Sequence, residues 1–299
     1  MHLSEQLDYF AAQLEHCMLC PRECGVNRLK GEIGFCNAGS RPRVASRCLH
    51  LGEEPPISGT RGSGAIFFSN CSMRCVYCQN YPISQMGYGN DIDSSGLADM
   101  MLYLERKGAH NINLVTATHF LPQTVEAIAQ ARSMGLTVPI ASNTSGYERP
   151  ETVRMLEGLV QIYMVDMRYS RRESSERYSK APDYPEYNRK AVTEMVTLAG
   201  PLECRDGLAV GGVLIRHLLL PSLLDETREI LKFISSDLPA RVPISLMTQY
   251  FPANKARDFP ELDRKITDAE FEEALGLLDG QSDQAGWIQD PQTISGPIA

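Results

Sequence analysis

Apolar residues recur along the chain with two different periods, and the alternation between them predicts the fold class. Short runs with almost no polar side, AIFFSN (65–70), NINLVTAT (111–118), LTVPIAS (136–142), VQIYMVDM (160–167), LAVGGVLIRHLLL (208–220) and VPISLMTQY (242–250), read as six strands buried on both faces. Between the first two, Leu97, Met100, Met101 and Leu104 fall at i, i+3, i+4 and i+7, the spacing of one apolar helical face, and Gly108 follows as a C-terminal cap. Further helices are expected from Pro122 to Gly135, from Pro150 to Gly158, from about Asn188 to the Gly200-Pro201 pair, and over 222–236. The last helix has a capping box, Thr267-Asp-Ala-Glu270, ahead of Phe271, Ala274 and Leu277, with Gly280 as its stop. Strands too apolar for a solvent face, each followed by a helix, imply a parallel sheet covered by helices.

A doubly wound sheet and a partial or complete α/β barrel both fit this alternation, and both put reactive groups at the carboxyl edge of the strands. Thr116, Thr118 and His119 end one strand there, Ser142, Asn143 and Thr144 the next, Asp166 and Arg168 a third, and Arg216 and His217 a fourth. Charge and composition narrow the function. With 43% hydrophobic and 22% charged residues the chain is ordinary globular material, and a net charge of −8 argues against broad binding to nucleic acid. The start, MHLSEQLDYF, has neither a basic region nor an apolar core of signal-peptide type, and no uncharged run reaches membrane-spanning length. No membrane partner and a cytoplasmic, reducing setting are the expectations, in which thiols serve as metal ligands more often than as disulfides.

Eight of the nine cysteines precede residue 79. Cys71, Cys75 and Cys78, in NCSMRCVYCQN, directly follow the first strand, yet three thiolates close no tetrahedral site. The set is either incomplete or open; a zinc ion completed by His or Asp, or unliganded buried thiols, are the plain alternatives to an open site. Farther forward, Cys17-x2-Cys20-x3-Cys24-x11-Cys36 supplies four thiols that can close on their own. Zinc is the simplest occupant, an auxiliary iron–sulfur cluster is the other, since Cys20-Pro21 matches a pair found in ferredoxin runs, and an unmetallated hook is the third reading. Cys48 and Cys204 have no partner at a recognisable spacing. This divides the chain into a cysteine-rich extension, 1–60, and an α/β body, 61–299.

The spacing C-x3-C-x2-C, with Tyr77 before the third cysteine and the loop after the first strand as its setting, resembles the radical S-adenosylmethionine (SAM) superfamily. Similarity to a branch related to pyruvate formate-lyase activating enzymes extends through GEEPPISG, FFSNCSMRCVYCQNYPIS, NINLVTATHFLPQ, NTSGYE, LIRHLLLP and the late WIQ. The resemblance implies a partial (βα)6 barrel with a cysteine-rich metal-binding extension. It also implies a [4Fe-4S] cluster on Cys71, Cys75 and Cys78 whose remaining iron chelates SAM, so that the missing ligand is the cosubstrate. SAM would be cleaved reductively to a 5'-deoxyadenosyl radical, the electron coming from a flavodoxin- or ferredoxin-type reductant. The radical would act on a small molecule or peptide, or on a glycyl-radical partner protein; the stretch after the triad lacks the insertion those activating enzymes carry. A non-enzymatic metal scaffold is the reading from another class.

Tyr77, Thr116, Thr118, His119, Asn143 and Arg216 are the expected contacts to the cosubstrate. Many superfamily members carry Gly-Gly-Glu after the second strand, and this chain has Thr116-Ala-Thr118-His119 instead. Thr116 and Thr118, at alternate strand positions, would share one face, with His119 just beyond. Asn143, Thr144 and Ser145 either hold a ribose hydroxyl or make an ordinary turn before Gly146. Arg216 is expected to face Asp166 or a ligand carboxylate, because a charge inside so apolar a strand requires a partner. Glu53 and Glu54 are either proton-transfer or cation-binding carboxylates or members of an ion pair. The stretch YSRRESSERYSKAPDYPEYNR (169–189) is either a lid at the carboxyl edge or a solvated excursion with a short helix.

Overall fold

The structure, a computed structural model, describes residues 2–279 and 286–289. Its strands are β1 (Arg43–His50), β2 (Ser63–Phe68), β3 (Asn90–Asp91), β4 (Ile112–Val115), β5 (Ile140–Thr144), β6 (Ile162–Asp166), β7 (Glu203–Arg205), β8 (Leu208–Leu218), β9 (Ile244–Met247) and β10 (Gly286–Gln289). Its helices are α1 (Leu3–Glu15), α2 (Pro55–Ser58), α3 (Tyr81–Ser84), α4 (Ser94–Arg106), α5 (Leu121–Ser133), α6 (Pro150–Arg154), α7 (Arg172–Ser179), α8 (Tyr184–Ala199), α9 (Leu224–Ser236) and α10 (Asp268–Asp279). The strand order is β10-β9-β8-β6-β5-β4-β2-β1-β3, with β7 hairpinned onto β8. From β2 to β10 every neighbouring pair along this path is parallel.

Each parallel strand pairs with the next in sequence, so the sheet never reverses its order as a doubly wound sheet must. It instead has one face toward helices and one toward itself. The helix-side core holds Ile66, Ile112, Leu114, Ile140, Tyr163, Val165, Val213 and Ile215 with Leu97, Met101, Val125, Ile128, Val192 and Ile230 from the helices. The residues that alternate with them, Ala141, Ile162, Met164 and Leu214, form a separate inner cluster with Ile57. This is a partial α/β barrel. The six expected strands are its body; β10 adds a seventh parallel strand at one edge, and β1 and β3 extend the other edge antiparallel.

Several boundaries differ from the sequence expectations: the strand expected over 136–142 is Ile140–Thr144, and the one expected over 242–250 is Ile244–Met247. The helix expected to begin near Asn188 starts at Tyr184, with Pro185 in its first turn. The one expected to run to Gly158 is regular only to Arg154 before breaking into turns. The run 111–118 is strand only to Val115, because Thr116 adopts φ 60°. The capping box of α10 is formed, Thr267 and Glu270 exchanging their reciprocal bonds, whereas the Gly280 stop lies outside the described residues. The first sixty residues share the body's core: Phe10, Cys17, Leu19, Cys36 and Ala38 are buried in the helix-side cluster.

Candidate functional site

The loop between β2 and α3 turns sharply at Asn70 (φ 72°) and Arg74 (φ 54°), both in the left-handed region. These turns bring Cys71, Cys75 and Cys78 onto one cavity, whose wall also includes Phe67, Phe68, Val115, Thr116, Ser145 and Arg168. The loop is fixed from outside by backbone bonds: Val76 N–H donates to the Tyr178 carbonyl (2.8 Å), and Lys255 N–H to the Val76 carbonyl (2.8 Å). Each sulfur has a neighbour. Met73 N–H donates to Cys71 Sγ at 3.4 Å, Ser84 Oγ lies 3.2 Å from Cys78 Sγ, and Cys75 Sγ accepts from Arg168 Nη1 (2.9 Å) and Ser179 Oγ (3.0 Å). Burial pushes the Cys71 thiol up and the Cys78 thiol up to about 11, with the Cys75 charge adding to both. Thiolates here require a positively charged partner, which a metal centre supplies.

Arg168 follows β6 and is oriented by Asp166, its Nη2 lying 2.5 Å from Asp166 Oδ2. Beneath the cysteines lies a buried floor of tyrosines. Tyr169 donates to the Tyr77 hydroxyl at 2.7 Å and lies 2.8 Å from Ser179 Oγ, and the Tyr77, Tyr169, Tyr178, Tyr184 and Tyr250 rings are packed 5.5–6.5 Å apart. The segment 169–189 folds as α7 and the start of α8, with its charged face exposed at Arg172, Glu173, Glu176 and Arg177 and its other face buried against the cysteine loop through Tyr178, Ser179 and Tyr184. Gly146 (φ 71°) lets the loop after β5 close on this floor, since a Cβ there would meet Asn188 Nδ2 at 2.1 Å and the Asp166 carbonyl at 2.8 Å.

Of the residues expected to meet a cosubstrate, Thr116 lines the cavity, and Asn143 alternates with Ala141 on the inner face of β5. Tyr77 is instead part of the floor. Thr118 and His119 are not strand residues sharing a face with Thr116: they lie in a 3-10 turn, both buried. Thr118 Oγ1 donates to Glu148 Oε1 (2.6 Å), and Thr144 Oγ1 donates to the same oxygen. His119 Nε2 lies 2.7 Å from the Ser69 carbonyl. The ion partner of Arg216 is not Asp166; it is the pair Glu53 and Glu54, Nε lying 2.9 Å from Glu54 Oε1 and Nη2 contacting both carboxylates. Glu53 also accepts from Asn113 Nδ2 at 2.9 Å, and both glutamates form an ion pair with Arg216 on the inner face. His217 points the other way, to the Met167 carbonyl (2.7 Å) and Thr227 (2.9 Å).

Among the described residues no three His, Cys, Asp or Glu side chains converge closely enough to share one metal ion. The cavity wall contains no His, Asp or Glu and no cysteine beyond the three. Three thiols spread around a cavity with no fourth protein donor fit a polynuclear centre that leaves one metal for an external ligand, and they do not fit a closed zinc site.

The family model of the radical SAM superfamily matches residues 65–234, from β2 through α9. The chain belongs to that superfamily. Membership makes it an enzyme of this class and implies an iron–sulfur cluster and SAM as the groups it uses, in agreement with the donor set of the cavity. An uncharacterized protein of Methanocaldococcus jannaschii is 30% identical over 272 residues, covering 89% of this radical SAM chain and 75% of the relative. Among solved structures, a domain of pyruvate-formate lyase-activating enzyme from Bacteroides vulgatus covers 55% of this chain and 88% of its own, at 12% identity and a TM-score of 0.39. No helix among the described residues is long and apolar enough to cross a membrane.

Proposed function

We propose that this chain is a radical SAM enzyme that reductively cleaves SAM and directs the resulting 5'-deoxyadenosyl radical at a small molecule or peptide. The observation that carries this reading is the cavity wall with Cys71, Cys75 and Cys78 as its only cysteines and no His, Asp or Glu. Those three residues would hold a [4Fe-4S] cluster, which when bound supplies the electron that breaks a carbon–sulfur bond of SAM.

The chain's own groups do the positioning. Arg168, held by Asp166, is a guanidinium on the cavity wall beside Cys75 and would take the cosubstrate's carboxylate. Thr116, Ser145, Asn80, Ser84 and Arg74 add polar atoms to the wall, while Phe67, Phe68, Ile83 and Val115 give it an apolar part. Asn143, Asn113 and the Arg216–Glu53–Glu54 group continue the polar lining down the inner face, where a substrate would lie within reach of the radical. A one-electron reductant of flavodoxin or ferredoxin type completes the reaction.

Anaerobic reconstitution with iron, sulfide, dithionite and SAM, followed by product analysis, tests the reading. The expected result is 5'-deoxyadenosine from the wild type and none from the Cys71→Ala/Cys75→Ala/Cys78→Ala variant. Product formation by that variant would end the proposal, and a radical trapped on a second polypeptide would move the substrate class to a partner protein.

A further inference from the structure

The cysteine-rich front contains a charge that nothing else in the fold explains. Arg28 is 2% exposed, and among the described residues it is paired with no carboxylate. Its Nη1 donates to the His119 carbonyl, its Nη2 lies 2.9 Å from Cys17 Sγ and 3.9 Å from Cys36 Sγ, and its Nε has no partner. A buried guanidinium without an anion is expensive by several kcal/mol. Neutral thiols or disulfides at Cys17 and Cys36 would leave it in that state.

The surrounding backbone is shaped to gather sulfur. Left-handed turns at Glu23 (φ 40°), Gly25 (φ 62°) and Asn37 (φ 59°) fold the segment back on itself, and Cys17 N–H donates to the Val26 carbonyl (3.2 Å) while Gly25 N–H donates to the Cys17 carbonyl (3.0 Å). Gly34 closes against Cys24 so tightly that a Cβ would lie 2.5 Å from its Sγ. Cys17, Cys20 and Cys36 are buried, with Cys24 half-buried beside them.

We propose that Cys17, Cys20, Cys24 and Cys36 bind a second, thiolate-ligated metal centre of net negative charge, with Arg28 as its buried counter-cation. A zinc ion on four thiolates and a [4Fe-4S] cluster on four thiolates both carry a net charge of about −2, so either satisfies the guanidinium.

The site is also a clamp on the triad loop. Arg22, between Cys20 and Cys24, donates from Nε to the Ser72 carbonyl (3.1 Å) and from Nη2 to the Ser179 carbonyl (3.3 Å), and it stacks on Phe35, 3.8 Å from the ring centre, with Arg74 also over that ring at 4.9 Å. On the other side Arg28 holds His119, which holds Ser69, and Asn70 Nδ2 donates to the Asn37 carbonyl at 3.2 Å. Metal binding at the front thus fixes the backbone that carries Cys71, Cys75 and Cys78.

The Cys71→Ala/Cys75→Ala/Cys78→Ala variant, purified anaerobically, is expected to retain one zinc, or about four irons with matching sulfide, and to lose them when Cys17→Ser is added. Elemental analysis and Mössbauer spectroscopy distinguish the two metals. A folded triple variant with neither metal and with four titratable front thiols, or with disulfides among them, overturns the proposal. Should the triple variant fail to fold, the reconstituted wild type answers the same question: a second iron population or stoichiometric zinc supports the site, and a single four-iron population without zinc overturns it. Arg28→Gln in the holoprotein is expected to weaken retention of the front metal against a chelator by about tenfold or more, with Arg28→Lys recovering part of it. Unchanged retention in Arg28→Gln would refute the counter-cation role.

Discussion

Replacing Arg216 with Met tests whether the inner-face charges are a structural unit. The arginine and both glutamates are nearly withdrawn from solvent, the side chains of Arg216, Glu53 and Glu54 being 8%, 9% and 0% exposed. Methionine preserves much of the volume but leaves two carboxylates beside each other without a cation, a change that costs about 3–5 kcal/mol when one member of a buried pair is removed. Glu54→Gln is milder, because Arg216 keeps Glu53 and the unit becomes a neutral pair; its cost is about 1.5–3 kcal/mol, that of a charge-assisted hydrogen bond. Burial alone would raise the Glu54 carboxyl, but the Arg216 charge and its hydrogen bonds outweigh burial and hold it below the usual carboxylate range. Its contribution is therefore present above that range and lost as pH falls through the depressed value. In Arg216→Met the orphaned carboxylates are relieved by taking up a proton, so the gap between wild type and variant narrows as pH falls. Urea unfolding of anaerobically prepared protein at pH 7.5 and 5 reads both effects. A destabilisation below about 1 kcal/mol at pH 7.5, or a gap that widens on acidification, would refute the reasoning.

Arg168→Gln is expected to weaken SAM binding by about 2 kcal/mol, roughly thirtyfold, with iron content unchanged, since the guanidinium contacts Cys75 but is no ligand; calorimetric titration of reconstituted protein checks this. His119, fully buried, has its imidazole lowered to about 4, burial being the main cause. Stability is therefore expected to fall by about 3 kcal/mol as pH drops from about 6.5 toward 4, because the unfolded chain takes up the proton first, and His119→Gln should flatten that slope in urea unfolding at stepped pH.

The strand and helix pattern was readable because both faces of each parallel strand are buried, so the period changes cleanly between strand and helix. β1 gave no such signal: RVASRCLH has an exposed middle and pairs at an edge, so its polar residues hid it. Thr116 marks the opposite failure. A β-branched residue at φ 60° runs against local preference, yet its N–H still donates to the Asn143 carbonyl at 2.8 Å, and tertiary bonding imposes the bend that ended the strand early. That bend turned Thr118 toward Glu148, which ends the NTSGYE stretch that the resemblance marked but which the strand pattern gave no role. The cysteine triad was legible because its three thiols sit within one short loop. Arg168 was legible as a strand-end polar residue, but its contact with Cys75 was not, nor was that of Ser179, because only the fold joins positions 93 and 104 residues apart.

The same distances explain how a loop can hold three sulfurs steadily without regular secondary structure of its own. Its carbonyls need donors, and an ordered sheet or helix is not there to provide them. Side chains from outside the loop do so: Arg22 to Ser72 and His119 to Ser69 from remote segments, and Gln85 Nε2, from the end of α3, to Cys75 at 2.8 Å, with Asn254 Nδ2 at 3.4 Å from the same oxygen. Each donor is anchored on a different element, so a shift of one is resisted by the others, and the positions of the three thiols are fixed by the whole barrel edge. A hydrophobic anchor would have buried the loop as firmly, but it would have left the Ser69 and Ser72 carbonyls without these donors, at about 1–3 kcal/mol each. The polar clamp is therefore the arrangement that keeps the cysteine loop both buried and in register. It also accounts for the cysteine-rich front lying against the body and not standing apart from it, because Arg22 and Arg28 donate across to it, as do Gln6 and Arg41 farther from the loop.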